Sequence, residues 1–195
     1  MAIRALILDH GLRLAAHGGL PAASIGALAA ATGMTKSGVF AHFGSKPGLD
    51  EALIRTASER FDRAVVARTA AAPGGLARLV ALSEAWLALT SAHDPALDLL
   101  VATCPLRLIA PRDAGAAWHR AWRTLLEAQA TAAVTAGELP AAVRPDVVAF
   151  ELDALLQAAW RDADGGDDGA VARARYAIEH RLRHWSASGP PSPAS

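Results

Sequence analysis

The chain has 195 residues, 52 % of them apolar, with 19 basic and 19 acidic side chains and a single cysteine. The apolar share is enough for a core, and its bias toward Ala and Leu over Val, Ile, Phe and Tyr predicts an all-α fold. Lone Cys104 excludes an internal disulfide framework, no uncharged apolar run reaches the ~18 residues of a membrane span, and Arg4, Asp9, His10 and Arg13 interrupt the segment a signal peptide would need, so a soluble cytoplasmic chain is expected. Zero net charge argues against nucleic acid, but its distribution argues the other way. Residues 1–46 carry Arg4, Arg13, Lys36 and Lys46 against Asp9 alone, leaving a slightly acidic remainder.

Ile3, Leu6, Ile7 and Leu14 lie at helical spacing in a first helix, which the glycine pair of "HGGLP" should stop. Ser24 is the N-cap of a short second helix carrying Ile25, Leu28 and Ala29, and Gly33 ends it. Thr35 is the next N-cap, with Val39 and Phe43 on the inward face of a third short helix. Ser45 caps a fourth, which tolerates Pro47 in its first turn and runs through Leu49, Leu53, Arg60 and Phe61 to about Ala70. "AAAPGG" at 70–75 is the expected joint. Beyond it an amphipathic helix spans 76–92, the next segment is a short helix and irregular stretch interrupted by Pro95, Pro105 and Pro111, and long helices are predicted over 114–136, 147–162 and 170–185. The tail 187–195 is too poor in apolar side chains to pack and is expected to be disordered.

Two short helices meeting at a glycine turn make a helix-turn-helix when three steric conditions hold. A small residue must sit at the crossing, a glycine in the turn, and a branched apolar residue where the second helix enters the core. Ala29, Gly33 and Val39 meet them, although a helical hairpin in an ordinary bundle would also satisfy this spacing. The outward residues favour the first reading: Thr35, Lys36, Ser37 and Ala41 face away from the core, where a recognition helix enters the major groove N-terminus first.

The stretch "SIGALAAATGMTKSGVFAHFGSKPGLDEAL" strongly resembles the DNA-binding domain of tetracycline-repressor-type (TetR) transcriptional regulators. That resemblance implies a helix-turn-helix domain over residues 1–46, a helical ligand-binding and dimerisation domain over 47–186, and a homodimer of nine- or ten-helix subunits. It implies contacts to double-stranded operator DNA from Thr35, Lys36, Ser37, Gly38, Phe40, Ala41, His42 and Lys46. Lys36 and Ser37 match positions that reach base edges or adjacent phosphates, His42 a backbone contact, and Lys46 a phosphate contact at the start of the fourth helix. Three residues depart from the pattern. Phe40 lacks the hydroxyl of the usual tyrosine, Ala41 offers at most a methyl contact, and Ala15 stands where a phenylalanine commonly fills the small core, leaving that core looser or filled by Leu20 and Phe61. Arg4 is the one candidate for an N-terminal minor-groove arm.

The remainder resembles the family in helical layout and in fragments such as "AGELPAAVRPDVVAFELDALL", which is similar to the start of a dimerisation helix. Trp86, Leu89, Leu100, Cys104, Leu106, Trp118, Trp122, Leu126 and Trp160 are the candidate lining of an effector site, and they predict a mostly apolar small molecule. Val148, Leu152, Leu155, Leu156 and Ala159 form one apolar stripe and Ile178, Leu182 and Trp185 another, the expected four-helix dimer interface. Cys104, followed by proline in an apolar segment, reads as inert packing rather than a redox sensor. His180 and His184 are spaced for a metal but lack an acidic neighbour at that spacing, so neither metal nor cofactor is expected. No nucleophile-base pairing or phosphate loop appears, and no enzyme is expected. Two functions stay open: a ligand-responsive repressor on a palindromic operator, and a helical small-molecule-binding or regulatory-partner protein of the same fold with weak or lost DNA binding.

Overall fold

The computed structural model describes residues 2–103 and 114–187, and among these it contains nine α-helices and no strand, the all-α fold expected from composition. In chain order they are α1 (Ala2–Ala22), α2 (Ile25–Thr32), α3 (Lys36–Phe43), α4 (Lys46–Phe61), α5 (Leu76–Ser91), α6 (Pro95–Ala102), α7 (Ala114–Thr135), α8 (Pro145–Asp164) and α9 (Ala170–Ala187). A π-helical turn, Asp62–Ala67, prolongs α4. The predicted tail falls almost wholly outside the described residues. The helices form two compact units, Met1–Arg63 with His93–His119, and Ala64–Ala92 with Arg120–Ser195.

In the N-terminal unit α1 breaks at Gly18 and Gly19, the latter at φ +67°. Its buried face is Ile7, Leu8, Leu12 and Ala15, whereas Ile3 (54 %) and Leu6 (47 %) are exposed, so the expected stripe of Ile3, Leu6, Ile7 and Leu14 is corrected. Small residues choose the face. A Cβ added at Gly11 would lie 2.6 Å from Leu53 Cδ2, so the missing side chain lets Leu53 of α4 pack close against α1 there. Ala15 is fully buried there, and Leu20 and Phe61 are buried in the same unit. The unit also recruits α6, which packs on α1 and α4 and buries Leu97, Leu99 and Leu100. Asp94 starts that helix by accepting hydrogen bonds from the backbone N–H groups of Ala96 and Leu97 at 2.9 and 3.2 Å. Trp118 meets Phe61 edge-to-face at 5.2 Å between centroids.

The C-terminal unit contains α5, most of α7, α8 and α9. Gly75 offers α5 no side-chain cap, and remote groups satisfy its first amides. Gly75 N–H donates to Gln129 Oε1 at 3.3 Å and Leu76 N–H to Glu138 Oε2 at 2.7 Å. Trp86 and Trp122 stack at 5.0 Å and 34° in the interior. Arg175 Nε donates to both oxygens of Glu84, at 2.9 and 3.0 Å, tying α9 to α5. Arg181 pairs with Glu151, tying α9 to α8, and its hydrogen bonds hold the Glu151 carboxyl below the usual carboxylate range.

Candidate functional site

Three hydroxyl caps set out the segment from Ser24 to Lys46. Ser24 Oγ accepts from Ala27 N–H at 3.1 Å, Thr35 Oγ1 from Gly38 N–H at 3.1 Å, and Ser45 Oγ from Gly48 N–H at 3.0 Å, so α2, α3 and α4 begin at the predicted residues. Gly33 closes α2 in the left-handed region at φ +69°, which a β-carbon would strain, and it reverses the chain within two residues of the next cap. Val39 then enters the core fully buried, while Thr35, Lys36, Ser37, Ala41 and His42 are exposed and Gly38 is half-buried.

The outward face of α3 is narrow. Ser37, Gly38 and Ala41 are its smallest side chains and lie away from Val39, so the helix backbone can approach a flat or grooved surface closely. Phe40 stands beside them at 50 % exposure, presenting an unpartnered apolar ring. The Ser37 and Thr35 hydroxyls lie 3.2 Å apart, which presents both at the leading end of the helix beside Lys36. A surface led by a cation and two hydroxyls, with methyl and ring groups behind, can donate to phosphate or base acceptors and touch thymine methyls.

Two residues expected on this surface lie elsewhere. Arg4 is within α1 with its guanidinium over the Phe43 ring at 5.2 Å, so it is not a free arm. Lys46 turns inward, its Nζ donating to Leu20 O at 2.7 Å, Ala23 O at 3.0 Å and Asp50 Oδ1 at 2.5 Å. Sequence reading missed Asp50, although its spacing of four from Lys46 was visible.

The candidate effector residues do not fall in one unit. Trp86, Leu89, Trp122, Leu126 and Trp160 belong to the C-terminal unit, Leu100 and Trp118 to the N-terminal one, and Cys104 and Leu106 lie outside the described residues. A cleft of about 700 Å³ in the C-terminal unit is lined instead by Leu76, Val80, Glu179, Leu182, Arg183 and Ser186. Asp153, 5 % exposed on α8, accepts a hydrogen bond from Gln157 Nε2 at 2.9 Å. Its place between Leu152 and Leu156 in an apolar stripe was the sequence signal for a buried polar group.

The residues of the expected dimer stripe are mostly covered within the single chain. Val148, Leu152 and Leu156 are fully buried within the single chain, Ala159, Ile178, Leu182 and Trp185 nearly so, and Leu155 is half-buried. Here α5, α8 and α9 bury the stripe in packing on each other. The large apolar side chains left exposed on α8 and α9 are Val147, Phe150 (57 % exposed) and Tyr176 (66 %). Arg123 lies over Phe150 at 5.5 Å and His180 stacks on Tyr176 at 6.1 Å. Among the described residues no helix is long and apolar enough to cross a membrane, and no cluster of three or more His, Cys, Asp or Glu is placed to hold a metal.

The chain resembles several solved structures. It superposes on AibR in complex with isovaleryl coenzyme A and operator DNA at TM-score 0.69 and 24 % identity, covering 80 % of this chain and 84 % of that one. A protein from Saccharomonospora viridis in complex with choline gives TM-score 0.81 at 20 % identity over 94 % and 96 % of the two chains. A TetR-family transcriptional regulator from Cytophaga hutchinsonii gives 0.78 at 16 % over 94 % of each. Identities this low establish a shared fold. No curated protein matches the sequence. Residues 7–53 match the family described as bacterial regulatory proteins, tetR family, and residues 110–178 match the tetracyclin repressor-like C-terminal domain. With the capped helix-turn-helix of α2 and α3 inside the first match, and the two matches together taking in more than half of the sequence, the chain belongs to the TetR family of transcriptional regulators.

Proposed function

We propose that the protein is a ligand-responsive repressor that binds a palindromic operator as a homodimer and leaves it when a small molecule occupies the C-terminal unit. The observation that carries this reading is the exposed leading end of α3, where Thr35, Lys36 and Ser37 stand clear of the core while Val39 anchors the helix from behind. Phe40, Ala41 and His42 complete the reading face. Two copies join through the outward faces of α8 and α9, around Val147, Phe150 and Tyr176, because one short helix covers too few base pairs to specify a site.

The effector occupies the interior walled by Trp86 and Trp122, an apolar to aromatic molecule whose polar end meets Asp153 and Gln157. AibR, solved with isovaleryl coenzyme A and operator DNA, supports the pairing of an effector with an operator in a chain of this fold. Effector binding favours a spacing of the two reading helices that no longer fits successive major grooves.

The test is a paired titration on protein bound to a duplex from upstream of its own gene. Compounds that quench tryptophan fluorescence should release the duplex at the same concentrations, and Trp122→Phe should lose most of the quenching. A compound that quenches fully while leaving DNA affinity unchanged contradicts the coupling. Failure of the unmodified protein to bind any duplex favours the alternative, a small-molecule-binding or partner protein that has lost DNA binding.

A further inference from the structure

Lys46 is the first residue of α4, where the helix dipole places partial positive charge, and no acidic side chain in the first turn offsets it. An ammonium there is electrostatically misplaced unless other groups hold it. Three do: the carbonyls of Leu20 and Ala23, and the carboxylate of Asp50 one turn along α4. An ammonium has three protons and no acceptor capacity, so three acceptors at 2.5–3.0 Å leave no donor for a phosphate. The Asp50 side chain is 13 % exposed and that of Lys46 36 %, so the pair is partly withdrawn from water and its charges largely cancel at a distance.

The acceptors give the contact its geometry. Leu20 lies in the last turn of α1, beyond the break at Gly18 and Gly19, where its carbonyl also accepts from Ala23 N–H at 3.2 Å, and Ala23 follows the end of that helix. Lys46 reaches back across 26 and 23 residues to bind them. The stretch it closes holds α2, the Gly33 turn and the whole of α3. We infer that Lys46 is a positioning residue, the tie that fixes the orientation of α2 and α3 against α4, and that it makes no phosphate contact. The inference rests on the reading of α3 as the DNA-reading helix only for its consequence, not for the tie itself.

The test measures thermal stability, salt dependence and specificity on the full-length protein. Lys46→Met keeps the apolar stem and removes the charge. It should lower Tm by about 5 °C or more, and Asp50→Asn should do so less, with the double variant losing much less than the sum. On a random-sequence 30-base-pair duplex, the slope of log affinity against log salt should be unchanged in Lys46→Met, whereas a lost phosphate contact would reduce it by about two in a symmetric dimer. The affinity ratio between a duplex from its own upstream region and that random duplex should fall about tenfold, measured well below Tm. A slope reduced by about two with Tm unchanged overturns the inference, and so does a fall in Tm that leaves the ratio intact. If the unmodified protein binds neither duplex, the DNA-binding reading fails by itself, while additive Tm losses for Lys46→Met and Asp50→Asn would still overturn the tie. Should Lys46→Met not fold, Asp50→Asn decides alone: an unchanged Tm overturns the inference, and a lowered Tm with a lowered ratio supports it.

Discussion

Leu156→Glu is expected to abolish folding of the C-terminal unit, giving insoluble or protease-sensitive protein rather than a folded monomer. Leu156 is fully buried on α8, flanked along that face by Leu152 and Ala159. Substitution removes a core side chain and leaves a carboxylate in an apolar interior, and the two costs together exceed about 4 kcal/mol. That is a large part of the whole stability of an ordinary domain, about 5–15 kcal/mol. Soluble yield, helical circular dichroism and limited proteolysis report the outcome. A well-folded variant that sediments as a monomer would return Leu156 to an intersubunit surface and refute its placement in the subunit core.

The double variant Phe150→Glu, Tyr176→Glu should do the opposite. Both side chains are more than half exposed in the single chain, so the subunit keeps its helical content and its Tm. A glutamate at 150 also meets the Arg123 guanidinium, which already lies over that ring. Buried aromatic anchors at protein interfaces contribute about 2 kcal/mol or more each when truncated, and four like charges would face one another across a twofold axis. Sedimentation should therefore show a folded monomer. Losing the partner removes the second half-site, and tethering of two modules typically raises affinity by about 10²–10⁴, so affinity for the upstream duplex should fall at least about 100-fold. An unchanged dimer would place the interface on another face.

The local chemistry of the N-terminal segment was legible because it is written in short-range rules. Ser24, Thr35 and Ser45 cap the helices they were expected to cap, and Gly33 ends α2 with the positive φ that its position requires. What was not legible depends on which neighbour a face meets. On α1 Ile3 and Leu6 lie outside, and Ile7, Leu8, Leu12 and Ala15 lie inside, because residues of the same type sort by which side of the helix carries Gly11, where Leu53 of α4 comes close. The stripes of α8 and α9 were read as a dimer interface, and most of their residues are covered within the single chain, because periodicity does not say whether the covering surface belongs to the same chain or to a partner. Likewise α6 was read as a short helix among prolines, and nothing local says that it packs on α1 and α4, elements far from it in the sequence. For Lys46 the residue type and spacing match the motif, while three acceptors within the unit take up its protons, which no motif reveals.

The central claim, that the leading end of α3 reads base sequence, is tested most directly by titrating the unmodified protein and Ser37→Ala against two duplexes at several salt concentrations. One duplex comes from upstream of its own gene and the other is its scrambled counterpart. Ser37 is exposed beside Lys36 at the leading end of the helix, and its replacement by alanine leaves the Thr35 cap to Gly38 in place. Loss of a base contact costs about 1–3 kcal/mol, so the account predicts a fall of roughly fivefold to 150-fold per contact on the upstream duplex, with scrambled affinity and both salt slopes unchanged. Equal losses on the two duplexes would contradict it, because a residue that weakens all DNA alike is holding the backbone and not reading the bases.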